Sequence, residues 1–532
     1  MRHTSSSFAV LRNISFRRIW TTSVFAHLGN WILTVTAAWS MTKMTNDPAM
    51  IALVQTAIFA PYLFFGLIAG TLADIFNRRI IIIIALCFRM LLAALLAVLS
   101  NMDMLSPTAL LSLCFLFGVG GIGFAPAWQT SISEQVAPDE IPHAIALNSI
   151  SFNIARSSGP AIGGIILAAA GTFAAFLTTV VSIVPVLIAF LLWKPKKNIT
   201  SLPRERFWDG ISACVRYITH TPSLRNTLIR TFVLGVAGGI FAAFAPLVAT
   251  ETLSGGANIY GILLTALGVG AVIGALLSAK FRTIIKPENI LAMAAIGCAT
   301  SAVTIAISSS LMIILAAYFV SGICFTAAIA LINISVQMRA PIWVNARALS
   351  AFQSLIAGGA AVGAWLWGST ASQFDLSTAF FMSALIFLLS IFMRFTNPIT
   401  GVPEKPEKLP IDVVYRYSSD FLPLTAGPII VELHYRIAPN VEIEFLSLMK
   451  RTESVRLRNG ARSWSLSRDV DDPVHWIQRY ICPTWRDLLH LRERRDHEER
   501  VLLEKISKLQ IGGGPPEIRI RVDTDMSNIS ID

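Results

Sequence analysis

The sequence predicts an all-α polytopic membrane protein of twelve helices, in two groups of six, with an α+β domain at its C-terminal end. Three observations predict it. Of 532 residues, 54% are hydrophobic and 14% charged, whereas a soluble domain carries about 25% charged residues. Mean hydropathy is +0.63. Apolar runs of about 20 residues, the length that crosses a bilayer, recur up to position 397 and then stop. The charge is also unevenly placed. Residues 1–400 hold 23 Lys and Arg against 11 Asp and Glu, and the remainder 20 against 21, within a total of +11. The basicity therefore belongs to the membrane part, where Lys and Arg collect in cytoplasmic loops. A nucleic-acid partner would need a basic face on a soluble domain, and the soluble part is close to neutral. No nucleic-acid partner is expected.

Twelve apolar segments can be read, near 20–43, 50–73, 80–100, 107–130, 142–169, 173–193, 227–250, 259–280, 290–308, 311–334, 347–370 and 378–396. Alternate loops differ in charge. One set holds Arg78 and Arg79, the basic stretch from Lys194 to Arg225, then Lys280, Arg282, Lys286 and Arg339. The other holds Asp47, Asp103, Glu251 and Asp375, with Lys43 as the one borderline basic residue. The positive-inside rule places the first set and both termini in the cytoplasm, which requires an even number of spans. The chain also repeats itself. "SEQVAPDEIPHAIALNS" (133–149) is echoed by "SVQMRAPIWVNARALSA" (335–351), each after the fourth helix of its half. The expected divisions are a six-helix bundle at 1–193, a basic cytoplasmic linker at 194–226, a second bundle at 227–397, a linker at 398–410 and a soluble domain at 411–532.

The soluble part changes in texture. "PITGVPEKPEKLP" is Pro-rich and charged, a linker composition. "PIIVELHYRI" alternates like a strand, and "VEIEFLSLMKRTESVRLRNG" reads as a helix ending at Gly460. "RSWSLSRDV" and "VHWIQRYI" are two further strands. "TWRDLLHLRERRDHEERVLLEKISKL" is a long helix with Thr484 as its N-cap, and "PEIRIRV" is a last strand. The order βαββαβ is the ferredoxin-like plan.

Two motifs stand out in the membrane part. "GTLADIFNRR" (70–79) puts Gly70 where helices can approach closely, Asp74 at a helix end, and Arg78 and Arg79 in a loop. "NIARSSGPAIGG" (153–164) carries Gly159, Pro160, Gly163 and Gly164 inside an apolar run. Small residues permit close helix packing, and the carbonyl that proline frees can find another partner. Arg156 lies about 15 residues into the fifth helix, roughly 22 Å at 1.5 Å per residue, beyond the middle of a core about 30 Å thick. Arg89 is near mid-depth in the third helix. A buried intramembrane Arg is costly and should face a cavity or a partner. Glu134 and Asp74 are at cytoplasmic helix ends, so the two deep cations point to an anionic substrate. Bonding to helix carbonyls or snorkelling is the plainer reading. Asn30 and His27 are also deep, and His27 titrates near neutral pH, which makes it a proton-coupling candidate beside Glu134. A polar-packed His is the plainer role.

The first motif resembles the major facilitator signature G-x-L-A-D-R-x-G-R-R, with Ile75 and Asn77 departing from it. The second resembles the end of the antiporter signature G-x8-G-x3-G-P-x2-G-G, with Ala146 and Ala155 at the two earlier glycines. Six plus six parallel repeats fit the same superfamily. "LRNISFRRIW", "GNWILTVTAAW" and "ALNSISFNIARSSGPAIGG" are similar to the bacterial transmembrane secretion effector family, which includes an enterobactin exporter, over about residues 10–397. That resemblance implies proton-driven export of a small molecule across the bacterial inner membrane, with Asp74, Arg78 and Arg79 latching one gate state. The tail is similar to antibiotic biosynthesis monooxygenase-like domains, some of which oxidise aromatic substrates without metal or flavin and pair through their sheets. On that likeness Trp464, Trp476, Trp485, His434 and His490 are ligand or dimer candidates, against the plainer reading as core and interface.

The expected function is thus a secondary active, proton-coupled exporter of a siderophore- or drug-like molecule, with membrane lipid as its surroundings and pairing through 411–532. It is a transporter and not an enzyme, with no cofactor and no metal site. A membrane-tethered enzyme or sensor acting through the tail, and a non-transporting scaffold, are the alternatives.

Overall fold

The computed structural model describes residues 7–137, 140–194, 207–281, 284–398, 422–493 and 497–523. Two compact units emerge, one of Met1–Thr200, Asn226–Gln337 and Asn345–Gly401, the other of Ser201–Arg225, Met338–Val344 and Val402–Asp532.

The first unit opens with α1 (Ile14–Met44), α2 (Pro48–Ile75), α3 (Arg78–Asn101) and α4 (Pro107–Gln135). The side chains of Asn13, Asp47, Asn77 and Ser106 accept backbone N–H groups at the four N-termini, which fixes where each helix starts. A 52-residue helical stretch, Ile141–Leu192, is broken at Gly171, where φ is 77° and ψ −175°. A side chain would strain that backbone, so Gly171 makes the turn between α5 (141–170) and α6 (172–192). After α7 (Phe207–Thr219), which belongs to the second unit, α8 (Pro222–Ala243) runs on through Ala245–Leu247 and a π-helical turn, Val248–Thr252. The unit is completed by α9 (Ala257–Phe281), α10 (Pro287–Ile307), α11 (Leu311–Arg339), α12 (Ile342–Gln373) and α13 (Leu376–Thr396).

Among the described residues ten stretches are long and apolar enough to cross a membrane. One of them, Ile154–Leu192, contains Gly171 and so supplies two passes. α1 has 31 residues and is more polar, because His27, Asn30 and several hydroxyls line it. Those hydroxyls are satisfied within the helix: Thr36 donates to the Ile32 carbonyl and Ser40 to the Thr36 carbonyl, both at 2.7 Å, the back-bonding that lets such residues sit on a buried helix face. The expected two groups of six result.

The second unit holds a four-stranded antiparallel sheet, β1 (Ile429–Arg436), β2 (Ser463–Arg468), β3 (His475–Cys482) and β4 (Glu517–Val522), in the order β2-β3-β1-β4. Its helices are α14 (Glu442–Asn459), α15 (Trp485–Glu493) and α16 (His497–Leu509). This is the βαββαβ order read from the sequence. The expected single long helix is described as α15 and α16, with 494–496 outside the described residues. Register is set by alternation. Val431 faces Tyr480 and Ile429 faces Cys482, and these inward residues join Phe445, Leu448, Leu488, Leu502 and Ile506 in one core. Gly460 (φ 136°) ends α14. Thr484 caps α15 as expected, its Oγ1 accepting from the Asp487 N–H at 3.3 Å and donating to Asp487 Oδ2 at 2.8 Å. The linker read at 398–410 lies outside the described residues beyond 398.

Candidate functional site

The polar interior of the first bundle gathers around Arg89. Its guanidinium lies 4.1 Å from the centroid of the Phe117 ring and donates to Asn30 Oδ1 of α1 at 2.5 Å. Arg89 is 6% exposed, and among the described residues it has no carboxylate partner. The glycine run "GVGGIG" (118–123) of α4 makes the room. A methyl group on Gly120 would come within 2.5 Å of Arg89 Cγ, and one on Gly121 within 2.5 Å of the Tyr62 hydroxyl. Gly118 serves packing instead, since a methyl there would meet the Ile58 carbonyl at 2.3 Å. His27 stands edge-on to Phe152 at 5.5 Å. Its Nε2 is buried and finds no hydrogen-bond partner among the described residues.

Arg156 sits apart, on α5, and reaches across to the other bundle. Its Nη2 donates to the hydroxyl of Thr326 on α11. Thr326 is buried. Among the described residues its hydroxyl is the guanidinium's bond to the other bundle, and a buried guanidinium is cheap only where polar groups can join it.

The "GPAIGG" seam packs in two directions. Gly159 and Gly163 face α1, where added methyl groups would meet Trp31 Cβ at 2.6 Å and Ile32 Cα at 3.4 Å. Gly164 faces α9 of the other bundle, where a methyl would meet Gly261 Cα at 2.9 Å. Two turns away along the same crossing, a methyl on Gly268 would come within 2.6 Å of Ser157 Cα. The bundles therefore touch backbone to backbone along α5 and α9. They also meet along α2 and α12: Thr56 Oγ1 donates to the Ala361 carbonyl at 2.9 Å, the Ala49 N–H to Ser372 Oγ at 3.1 Å, and Ser372 Oγ to Asp47. Trp39 of α1 stacks on Tyr260 of α9 at 6.0 Å. These contacts cluster at the end of the bundle that carries the acidic loops.

At the opposite end, Arg78 Nη1 and Glu134 Oε1 are 2.7 Å apart, joining the start of α3 to the end of α4. Arg79 donates from Nε to the Phe190 carbonyl at 3.0 Å and from Nη2 to the Leu191 carbonyl at 2.6 Å, capping the last turn of α6. Asn77, which departs from the signature glycine, N-caps α3. These bonds stay within one bundle. Gly70 and Asp74 lie on α2, outside the residues whose side chains are described. The second bundle has a counterpart that motif reading missed: Arg230 of α8 and Glu288 of α10 pair at 2.7 Å. Among the described residues, no group of three His, Cys, Asp or Glu side chains could hold a metal.

The sequence pattern of the transmembrane secretion effector family matches residues 5–528. The chain belongs to the transmembrane secretion effector family. Its similarity to a staphyloferrin A transporter of Staphylococcus aureus is 24% identity over 276 residues, 51% of this chain and 68% of that one. To the multidrug efflux pump Tap of Mycolicibacterium fortuitum it is 25% over 380 residues, 68% and 91%. To an enterobactin exporter of Salmonella choleraesuis it is 23% over 302 residues, 53% and 68%. Solved structures with the same fold include a bacterial homologue of the human lysosomal transporter Spinster, at TM-score 0.59 and 14% identity over 75% of this chain and 99% of that one. An auto-inhibited peptide transporter gives TM-score 0.61 and 10% identity, over 74% and 98%. The membrane part of this transmembrane secretion effector thus has the major facilitator fold, and it is a multi-pass membrane transporter.

In the tail of this secretion effector, Trp476 and Trp485 are buried in the core and Trp464 packs against it. His490 is buried. His434 lies on the other face of the sheet, its Nδ1 3.1 Å from His475 Nε2, with His475 Nδ1 3.3 Å from Asp469 Oδ2. Burial, and then Arg519 and His475, push the His434 pKa below its ordinary 6.5, against the pull of Glu517 and Glu432. The fold favours the neutral ring. Its contribution is therefore complete above about 6.5 and is lost as pH falls towards the lowered value. Hydrogen bonds from the Asp471 N–H and His475 hold Asp469 low, and those from Arg519 hold Glu517 low, so their contribution goes at lower pH still. The urea midpoint of tail unfolding, followed by a dye at exposed position 470, is expected to fall between pH 7 and pH 5. His434→Gln should flatten that fall, and an equal fall in the variant would show that His434 has no part in it.

Proposed function

We propose that this chain is a secondary active exporter of a small anionic molecule of the siderophore class, working by alternating access of its two six-helix bundles. The observation that carries the reading is the pair of interior guanidinium groups, Arg89 and Arg156, which among the described residues meet an amide, a hydroxyl and a ring but no carboxylate. A cation kept in the bundle interior at this cost favours an anion that enters beside it. Relatives named as a staphyloferrin A transporter and an enterobactin exporter agree with that class, and the drug pump widens it. Protons are the coupling ion in this reading, with His27 and Glu134 as coupling candidates. The chain sits in a bacterial inner membrane with both termini in the cytoplasm, a placement that the loop charges support. Asp74, Arg78 and Arg79 brace the cytoplasmic end, and the Gly159–Gly164 seam closes the other. The burial of Trp476 and Trp485 supports a structural or pairing role for the tail over catalysis.

The test is export of staphyloferrin A, enterobactin and a drug panel from a strain lacking its own exporters. Arg156→Ala is expected to lower anionic export at least about tenfold, a loss of about 1.4 kcal/mol, at unchanged membrane level, with Arg156→Lys retaining part. Full export by Arg156→Ala would remove the anion-binding role.

A further inference from the structure

The second unit is more than the tail. It includes α7, which lies in the connection between the two bundles, and Met338–Val344, the turn from α11 into α12. α7 is amphipathic. Gly210, Ala213, Cys214 and Tyr217 are buried, and their spacing of three and four residues makes one helix face. α14 of the tail packs on α7. At the contact the Arg458 guanidinium lies over the Tyr217 ring, 5.4 Å from its centroid. Arg458 is 7% exposed and Tyr217 2%, so the cation–π contact is desolvated, where it is strongest. Tyr217 then passes the contact on. Its hydroxyl donates to the Arg339 carbonyl at 3.4 Å, and its ring meets Trp343 edge-on at 5.5 Å. Arg339 Nη1 donates to the Ser223 carbonyl at 3.1 Å, beyond the end of α7. One tyrosine thereby joins three segments that are far apart in sequence.

We propose that the tail is a built-in regulator of transport, docked through α14 on α7 and linked through Tyr217 to the α11–α12 turn. This rests on the alternating-access reading above. When the bundles rock, the chain between them and the cytoplasmic turn of the second bundle must shift. Gathering both in one body with the tail restrains that shift, so release of the tail changes the balance of gate states. A ligand or modification acting on the tail could do so only by binding docked and released forms differently. The two cytoplasmic connections are a different place from the interior cations, and the contact involves no transported molecule.

The test uses the full chain without substrate, so that it stands apart from the identity of the cargo. Arg458→Ala and Tyr217→Ala cut the contact from its two sides, and Lys450→Ala on the exposed face of α14 is the control. Hydrogen exchange in 207–219 and 338–344 is expected to speed up about tenfold or more in both variants, as local opening becomes easier, and to stay unchanged in the control. Spin labels at positions 80 and 284, exposed on the two bundles, are expected to give a broader and shifted distance distribution in both variants. Unchanged exchange would overturn docking through Tyr217. Faster exchange with an unchanged distance distribution would overturn regulation. If one variant fails to accumulate, the other cuts the same contact.

Discussion

Gly164→Leu is expected to reduce export to background and to make the membrane leaky to the exported compound, while the protein still reaches the membrane. Even one methyl at this position would come within 2.9 Å of Gly261 Cα and 3.1 Å of the Ala257 carbonyl. Both obstacles are backbone, so no side-chain rotation relieves the clash. A single overpacked methylene typically costs 1–3 kcal/mol, and leucine adds four heavy atoms where there is room for none. The strain can be relieved by moving α5 away from α9, which parts the bundles at the end where Trp39 stacks on Tyr260 and Ser372 bonds Asp47. Gly261→Leu, from the other bundle, should have the same effect. Gly163→Ala should be nearly silent, because its methyl would meet Ile32 Cα and Val35 Cβ at ordinary contact distances of 3.4 and 3.6 Å. Equal phenotypes for Gly163→Ala and Gly164→Leu would mean that the seam acts through general helix packing and not through the α5–α9 crossing.

The contrast between these glycines shows what could be read beforehand and what could not. Hydropathy and loop charge located the spans because lipid imposes a length and a composition on each one. Gly171 ends α5 in the short gap between the segments read at 142–169 and 173–193, and its positive φ shows how the chain turns there. The four residues of "GPAIGG" were visible as a packing seam. Which of them faced α1 and which α9 depended on the rotation of a helix relative to a partner about 97 residues away, and no local pattern encodes that. Arg89 and Arg156 stood out because a guanidinium is costly in a membrane. Asn30 stood out as a deep polar residue, but its pairing with Arg89 did not, and Thr326, Phe117 and Tyr62 looked like any hydroxyl or aromatic in an apolar helix. The glycines 118–123 gave a signal that could have been used, since a run of small residues beside a deep Arg implies a large side chain pressed against it. Arg79 caps α6, because carbonyls at a helix end attract guanidinium donors as carboxylates do, and the motif alone does not specify that partner. In the tail, strand alternation and the caps at Gly460 and Thr484 were enough to recover the order of elements. α7 was hidden in a basic linker, although the spacing of Gly210, Ala213, Cys214 and Tyr217 already had the helical period.

Glu499→Ala is expected to remove a large part of the tail's stability and to lower its urea midpoint sharply. Glu499 and Arg456 are each 1% exposed and 2.6 Å apart. The carboxylate is fully engaged, with Oε1 accepting from Arg456 Nη1 and Oε2 from Asn459 Nδ2 at 2.9 Å. The Arg456 guanidinium also lies 5.0 Å from the centroid of the Tyr480 ring. Removing the acid leaves a desolvated cation and a buried amide without their acceptor, a loss of about 3–5 kcal/mol from a domain whose whole stability is of order 5–15 kcal/mol. Replacing both partners by apolar groups of similar size removes the buried charge altogether and is often neutral. Arg456→Met combined with Glu499→Leu should therefore recover most of what Glu499→Ala loses, and a urea titration of the full chain, read through the tail, would show it. If the double variant were as unstable as the single one, the pair would be needed for more than mutual neutralisation. The consequence reaches the transporter through α14, because Arg456 and Asn459 flank Arg458 on the last turn of that helix. Losing Glu499 should loosen the helix that holds Tyr217 and raise hydrogen exchange in α7, and Arg456→Met with Glu499→Leu should restore both the fold and the dock.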